Sequence, residues 1–425
     1  MNLGFYIIMA AQFFSSLADN ALLVAAIALL IQSDSPAWLT PYLKFFFVIS
    51  YVLLAPFVGA FADRLPKGQV MFISNTIKIV GCTLMLFHVN PLLAYALVGL
   101  GAAAYSPAKY GILTEYLPPT KLVVANGWIE GLTVGSIILG TVLGGVLISQ
   151  RVAIVTLSLD IPMVETGIDT PAEAAICLII LIYALAAFFN LYVPRTSAPL
   201  RPLPANPMHT VIDFADCVKR LWLDRLGQIS LAVTTLFWGA GATLQFIVIE
   251  WAKVNMGYDL SRASMLQGVV AVGIAVGAVL ASVTLRLERA VRVIPLGIAM
   301  GLIVPLMVFV HSLWLAIPLM IMIGGLAGFF VVPMNALLQH RGHNLMGAGR
   351  SIAVQNFNEN SSVLAMIAIY SLLIGAGVSI NVVVVLFGLF VAGTMWLVRL
   401  WFKANRRKHK EEIDALLEIA RSGTH

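Results

Sequence analysis

Apolar runs of about 18 to 25 residues, each long enough to cross a ~30 Å hydrocarbon layer as a helix, recur along this whole chain. They occupy 4–31, 42–62, 70–88, 92–113, 125–148 and 174–193, and then 228–250, 263–285, 293–310, 313–338, 351–374 and 378–401. The chain is 60% hydrophobic and 11% charged, whereas an ordinary soluble domain carries about 25% charged residues. Apolar surface on that scale has no single core to enter, so it faces lipid. The expected fold is an all-α integral membrane protein of about twelve transmembrane helices. The first run lacks a basic n-region and is too long for a cleaved signal, so it reads as a retained span.

A pause separates the sixth and seventh runs. It spans 194–225 and holds Pro194, Pro199, Pro202, Pro204 and Pro207 ahead of an amphipathic stretch at 211–226. Proline lacks a backbone donor and fixes φ, which suits a water-exposed linker rather than a buried helix. The expected organisation is a six-helix bundle over 1–193, a linker over 194–227, a second six-helix bundle over 228–402 and a basic tail over 403–425.

Charge sets the orientation. With Met1 in the cytoplasm, the loops after even-numbered spans and the tail hold about 19 of the 26 Lys and Arg, and the opposite loops about four. Both termini are then cytoplasmic. The net charge of +6 reports this topology, and a nucleic-acid partner is the poorer reading of it. In the tail, 403–410 is basic enough to meet anionic headgroups, and Ile413, Leu416, Leu417 and Ala420 form an apolar stripe beyond it. Cys82, Cys177 and Cys217 show neither metal-ligand spacing nor a disulfide framework, and no cofactor or metal is indicated. The outward loop 150–173 is acidic, with Asp160, Glu165, Asp169 and Glu173.

Polar residues inside the runs fall at helical spacing. In the first run the single charged side chain is Asp19; it lies on one face with Gln12 and Ser16, beside Asn20. A carboxylate at the centre of a span costs about 2.5 to 3.5 kcal/mol on insertion scales unless it faces a wet or paired interior. The third run carries Asn75 and Lys78, and the fourth carries Lys109 and Tyr110 after Tyr105 and Pro107. In the seventh, Thr234, Trp238, Gly241 and Gln245 are in line; in the tenth, Asn335 and Gln339; in the eleventh, Gln355, Asn358, Glu359 and Ser362, flanked by Asn356 and Asn360. Lipid satisfies none of these groups, so they meet one another or line a wet cavity. Amides and hydroxyls in spans commonly tie helices together at about 0.6 kcal/mol each, and that role stands beside substrate contact for every one of them. Asp19 and Lys109 in turn fit either a buried pair or a substrate site.

The loop after the second run reads Gly59-Ala-Phe-Ala-Asp63-Arg64-Leu-Pro-Lys67. It resembles the signature of the major facilitator superfamily, which implies close helix approach at Gly59 and a gate latched by Asp63 and Arg64, with Lys78 near it. Pro66 and Gly68 depart from that pattern, and in the second half Gly277 keeps the small residue while Ala281 replaces the acid. A narrower resemblance is carried by Ser16-Leu-Ala-Asp19-Asn20-Ala-Leu-Leu, by Tyr105-Ser-Pro107-Ala-Lys109-Tyr110-Gly111 and by Phe237-Trp238-Gly239-Ala-Gly241. Pro333-Met-Asn335-Ala-Leu-Leu-Gln339 and Gln355-Asn356-Phe-Asn-Glu359-Asn360 add to it. Together these strings are similar to the bacterial lysophospholipid transporter family, with Gln245 standing where relatives place an arginine.

That resemblance implies a flippase moving lysophospholipids from the outer to the inner leaflet of the bacterial inner membrane, where an acyltransferase/acyl-carrier synthetase reacylates them. It also implies that Asp19 and Lys109 form the charged pair of the first and fourth helices. A lysophospholipid offers a phosphate, often an ammonium, and one acyl chain. Lys109 then holds the phosphate and Asp19 the ammonium, the polar stripes take the glycerol and ester oxygens, and apolar walls take the tail. Two halves rocking about the cavity, with a lateral opening, complete the expected mechanism. A proton-coupled exporter of amphiphilic drugs, with Asp19 as the proton carrier, is the rival reading. A lipid-modifying enzyme is the poorest one, because the nearest His/Asp pair, His209 and Asp213, lies in the linker with no surrounding motif.

Overall fold

A computed structural model describes residues 2–33, 40–149, 152, 169–202, 206–258 and 260–422. Asp160 and Glu165 of the acidic loop lie outside the described residues. Throughout the described residues the regular structure is helical: α1 (Leu3–Gln32), α2 (Thr40–Leu53), α3 (Ala55–Arg64), α4 (Lys67–Leu86), α5 (Pro91–Tyr116), α6 (Leu122–Leu147), α7 (Pro171–Leu191), α8 (Pro207–Leu223) and α9 (Gly227–Met256). There follow α10 (Leu260–Thr284), α11 (Ile294–Ile303), α12 (Leu313–Met346), α13 (Ala348–Gly375), α14 (Ile380–Lys408) and α15 (Lys410–Ser422). Eleven of the described helical segments are long and apolar enough to cross a membrane, and α2 with α3 supplies a twelfth span if the bent pair is counted as one.

Proline explains the two irregular spans. The second run breaks by 65° between α2 and α3, where Pro56 sits in the first turn of α3 and removes a hydrogen-bond donor from the ladder. The ninth run is α11 framed by 3₁₀ turns at Leu287–Val293 and Val304–Phe309, with Pro295 and Pro305 near the starts of α11 and of the second turn. At the entry to α7, Thr170 and Glu173 form a reciprocal capping box. Glu173 is thereby buried as a cap and takes no part in an acidic surface.

The chain divides into two compact units, one of Met1–Ile112, Gly135–Phe214 and Ala348–Ala353, the other of Leu113–Val134, Ala215–Gly347 and Val354–His425. In the first, α1 and α4 both pack on α7 around Ala18, Leu22, Cys82, Tyr95 and Tyr183. In the second, α10 and α12 form the most extensive helix pair. Their seam is glycine on glycine: a Cβ on Gly277 would collide with the Gly325 carbonyl oxygen, and one on Gly273 would lie 3.1 Å from the Gly324 Cα. Small residues let two backbones touch where lipid supplies no hydrophobic drive between helices. The tail helix α15 buries Ile413 and Ala420 and packs against Leu287–Val293 and the short turn Pro119–Lys121. Its apolar stripe therefore closes on the protein itself.

Gly277→Val is expected to lower the melting temperature of the detergent-solubilised protein by several degrees, the effect of about 1–3 kcal/mol of overpacking. Gly393→Ala, whose added Cβ meets nothing within 4 Å, should leave it unchanged when both are followed by thermal denaturation.

Candidate functional site

Asp19 of α1 is held at the centre of the first unit by a cation and a phenol. The Lys78 ammonium donates to its Oδ1 at 2.8 Å and Oδ2 at 2.9 Å, and the Tyr183 hydroxyl donates to Oδ1 at 2.6 Å. Lys78 also donates to Ser15 Oγ at 3.0 Å, and Ser15 donates to Asn75 Oδ1 at 2.8 Å. The ammonium lies 5.0 Å from the Tyr105 ring centroid and 5.4 Å from that of Tyr183, within cation–π range. Gly101 makes room for the Lys78 stem, since a Cβ there would lie 2.7 Å from Lys78 Cγ. The Lys78 side chain is fully buried and Asp19 is 21% exposed, so Asp19 is the accessible edge of the pair.

The cation of Asp19 is therefore Lys78, and the pairing of Asp19 with Lys109 implied by the family resemblance is replaced. Lys109 lies eight residues beyond Gly101 on α5, about 12 Å along the helix axis. Half-buried, it places its Nζ 4.7 Å from the Tyr110 ring centroid. Ser15, rather than Ser16, joins the cluster; Gln12 is buried with neither amide atom hydrogen-bonded. The Asn20 amide turns back to donate to Ser16 O at 2.8 Å.

A second cluster gathers at Asp63, at the end of α3. Its Oδ1 accepts the Gly349 N–H at 2.7 Å and its Oδ2 the Arg350 N–H at 3.0 Å, so the carboxylate closes the N-terminus of α13. A helix N-terminus favours an anion by its unsatisfied N–H groups and its dipole. Lys67 donates to Asp63 at 3.0 Å, and Arg350 reaches it at 3.5 Å while donating to Asp213 of α8 at 2.7 Å. Gly59 permits the approach, because a Cβ there would lie 2.7 Å from that of Ala353. Arg64 is exposed. Lys78, read from sequence with this gate, belongs to the Asp19 cluster.

The second unit holds a third, uncharged-looking network that contains two acids. Asn126 and Gln339 exchange amide hydrogen bonds at 2.9 and 3.0 Å. Asn335 donates to Glu130 Oε1 at 3.4 Å, and Gln355 Nε2 donates to Asn335 Oδ1 at 3.1 Å and to Glu359 Oε1 at 2.8 Å. All six side chains are buried, and so is Asn356. Trp238 leaves its indole N–H without an acceptor and meets Phe237 edge-on. Gln245 is exposed and pairs with Gln267 at 3.1 Å. Asn126 and Glu130 were not singled out from sequence. Their signal was present, one turn apart in the fifth run, with Glu130 the only charged residue in it. Among the described residues no group of three or more His, Cys, Asp or Glu is arranged to hold a metal ion.

The Major Facilitator Superfamily profile matches residues 8–366. The chain is 41% identical over 378 residues to the lysophospholipid transporter LplT of Yersinia enterocolitica serotype O:8 / biotype 1B, covering 89% of each protein. It is 42% identical over 371 residues to LplT of Yersinia pestis strain Pestoides F, covering 87% of this chain and 86% of the relative. Among solved structures it is similar in fold to the human organic anion transporter MFSD10 (TETRAN), with a TM-score of 0.70 at 13% identity over 95% of this chain and all of that one. The transporter FucP in its outward conformation matches with a TM-score of 0.70 at 14% identity, over 94% and 98% of the two chains. The fold and site thus define a multi-span membrane transporter, not an enzyme. The chain belongs to the major facilitator superfamily and, within it, to the lysophospholipid transporter LplT family.

Removing one partner of a buried ion pair strands the other charge, at about 3–5 kcal/mol. Lys78→Met alone is therefore expected to destabilise the purified protein by that order, and Asp19→Leu combined with Lys78→Met to recover part of the loss. Chemical denaturation in detergent measures both.

Proposed function

We propose that this protein carries lysophospholipids such as lysophosphatidylethanolamine from the outer to the inner leaflet of a bacterial inner membrane, by alternating access with a lateral opening. The printed names of its relatives support the substrate class. The observation that carries the site is Asp19, about one-fifth exposed, backed by a fully buried Lys78. Lys78 meets both oxygens of Asp19 from one side, and the exposed edge of the carboxylate remains able to accept a further donor. An ammonium or glycerol hydroxyl of a headgroup supplies one. Lys78 is too deeply buried to meet a phosphate, so that role falls to Lys109, beside the aromatic face of Tyr110.

Asn20, Tyr110, Trp238, Gln245, Asn335, Gln339 and Asn356 are proposed as further contacts for the glycerol and ester oxygens. The unsatisfied Trp238 N–H is a donor waiting for such an oxygen. The closure of α13 by Asp63 is proposed as a gate, with Gly59 allowing the approach and Arg64 exposed beside it. Both termini are proposed to be cytoplasmic, on the bias of Lys and Arg between loops. The product side then faces a cytoplasmic acyltransferase/acyl-carrier-protein synthetase that consumes the lipid.

Uptake of labelled lysophosphatidylethanolamine by proteoliposomes tests the reading. Asp19→Asn and Lys109→Ala should each lower uptake by about 10-fold or more, the value of one charge-assisted contact of ~1.5–3 kcal/mol. Uptake unchanged in both variants, with the protein folded, rejects these sites.

A further inference from the structure

The C-terminal end of α14 carries its cations on one side. Arg399, Lys403, Arg406 and Arg407 fall at i, i+4, i+7 and i+8, which places all four on one face of the helix. The opposite face belongs to the protein: Val398 and Asn405 are buried, and the Asn405 amide donates to Arg225 O at 3.5 Å. Lys403, Arg406 and Arg407 are exposed, and Arg399 is half-buried. No Asp or Glu oxygen of the described residues lies within 4.0 Å of any of the four. Acids that follow in α15 are engaged elsewhere, Glu412 with Arg225 and His409, and Glu418 with Arg421.

A lipid-facing ridge leads to these cations. Leu389, Trp396 and Lys403 recur at seven-residue spacing, with Arg407 one turn further, and Leu389 and Trp396 are 53% and 51% exposed. Leu397, Leu400 and Trp401 stand exposed beside them. Tryptophan in a span marks the level of the headgroups, and Lys403 lies about 10 Å beyond Trp396 along the helix axis, with Arg407 about 6 Å further. The unpaired cations therefore stand at the depth of the lipid phosphates. A helix C-terminus also attracts cations through its dipole, but that effect is confined to the last turn and reaches neither Arg399 nor Lys403. The tail helix leaves the face open, because α15 buries Ile413 and Ala420 and packs against Leu287–Val293 and Pro119–Lys121.

We propose that Arg399, Lys403, Arg406 and Arg407 form a binding site for the phosphates of anionic bilayer phospholipids in the leaflet around the C-terminal end of α14. The occupant is a two-tailed resident lipid, distinct from any transported one. Its chains lie along Leu389 and Trp396, and its phosphate is met by the guanidinium forks and the Lys403 ammonium. A zwitterionic headgroup is held less well, because its ammonium meets cations and no free acid. From sequence, the basic stretch and the apolar stripe beyond it read as one tail against the membrane. The structure separates them: the stripe turns inward, and the α14 face alone is left for lipid.

Native mass spectrometry of the full-length protein in detergent, titrated with dioleoylphosphatidylglycerol or dioleoylphosphatidylethanolamine, reads the site. The wild type should retain the glycerol lipid at least about 10-fold more tightly, and the combined change Lys403→Gln, Arg406→Gln and Arg407→Gln should remove most of that preference. Arg195→Gln, Lys219→Gln and Arg220→Gln together, which remove three exposed cations elsewhere, should leave it nearly unchanged. Lys403→Arg, Arg406→Lys and Arg407→Lys together keep the charge and should keep the binding, which separates loss of the site from loss of the fold; loss there as well overturns the proposal. Equal loss in the two glutamine triples overturns it too, since binding then follows net charge. Equal retention of the two lipids by the wild type leaves only chain contacts and overturns it. Displacement of the glycerol lipid by inorganic phosphate at constant ionic strength makes this a free-phosphate site and overturns it likewise. No lysophospholipid enters the measurement, so its failure and failure of the proposed transport are read separately.

Discussion

A charged or polar group inside a hydrocarbon slab costs several kcal/mol unless another protein group meets it. That demand orders the interior of this protein. Lys78 is fully buried and has five neighbours to answer it: both Asp19 oxygens, the Ser15 hydroxyl and the faces of Tyr105 and Tyr183. Those neighbours come from α1, α5 and α7, so three helices are fixed in register around one ammonium. Gly101 belongs to the same device, because the lysine stem occupies the space where a side chain would have stood.

The Asp63 cluster answers a related demand with a different partner. The start of α13 presents unpaired N–H groups, and a carboxylate from another helix accepts two of them. Arg350, in that same first turn, reaches both Asp63 and Asp213. The α3 end, the α13 start and the linker helix α8 therefore share one guanidinium. A displacement of any one of them disturbs the hydrogen bonds of the other two.

How much of this was legible depends on the range of the interaction. Span number and approximate limits are written locally, in runs of apolar residues; the helical ladder is interrupted at Pro56, Pro295 and Pro305, and α9, α12 and α14 run on past the apolar runs to Met256, Met346 and Lys408. The polar stripes were legible too, because helical spacing places Gln355 beside Glu359 whatever surrounds them. Partners were not. Whether Asp19 meets Lys78 or Lys109 depends on how α4 and α5 sit against α1, and the choice of Ser15 over Ser16 on a rotation of one residue. Glu130 was readable as a lone acid in its run, but its link to Asn335 joins residues 205 positions apart.

The glycine contact between α10 and α12 has a mechanical consequence. Where carbonyl oxygens and α-carbons touch directly, no rotamers are available to absorb a slide, and the two helices behave as a single beam. The α9–α12 boundary is built otherwise, from Phe237 against Phe330 at 5.6 Å with Met300 and Met395 beside them. Thioethers and aromatic edges re-pack at little cost, so deformation within this unit concentrates along α9.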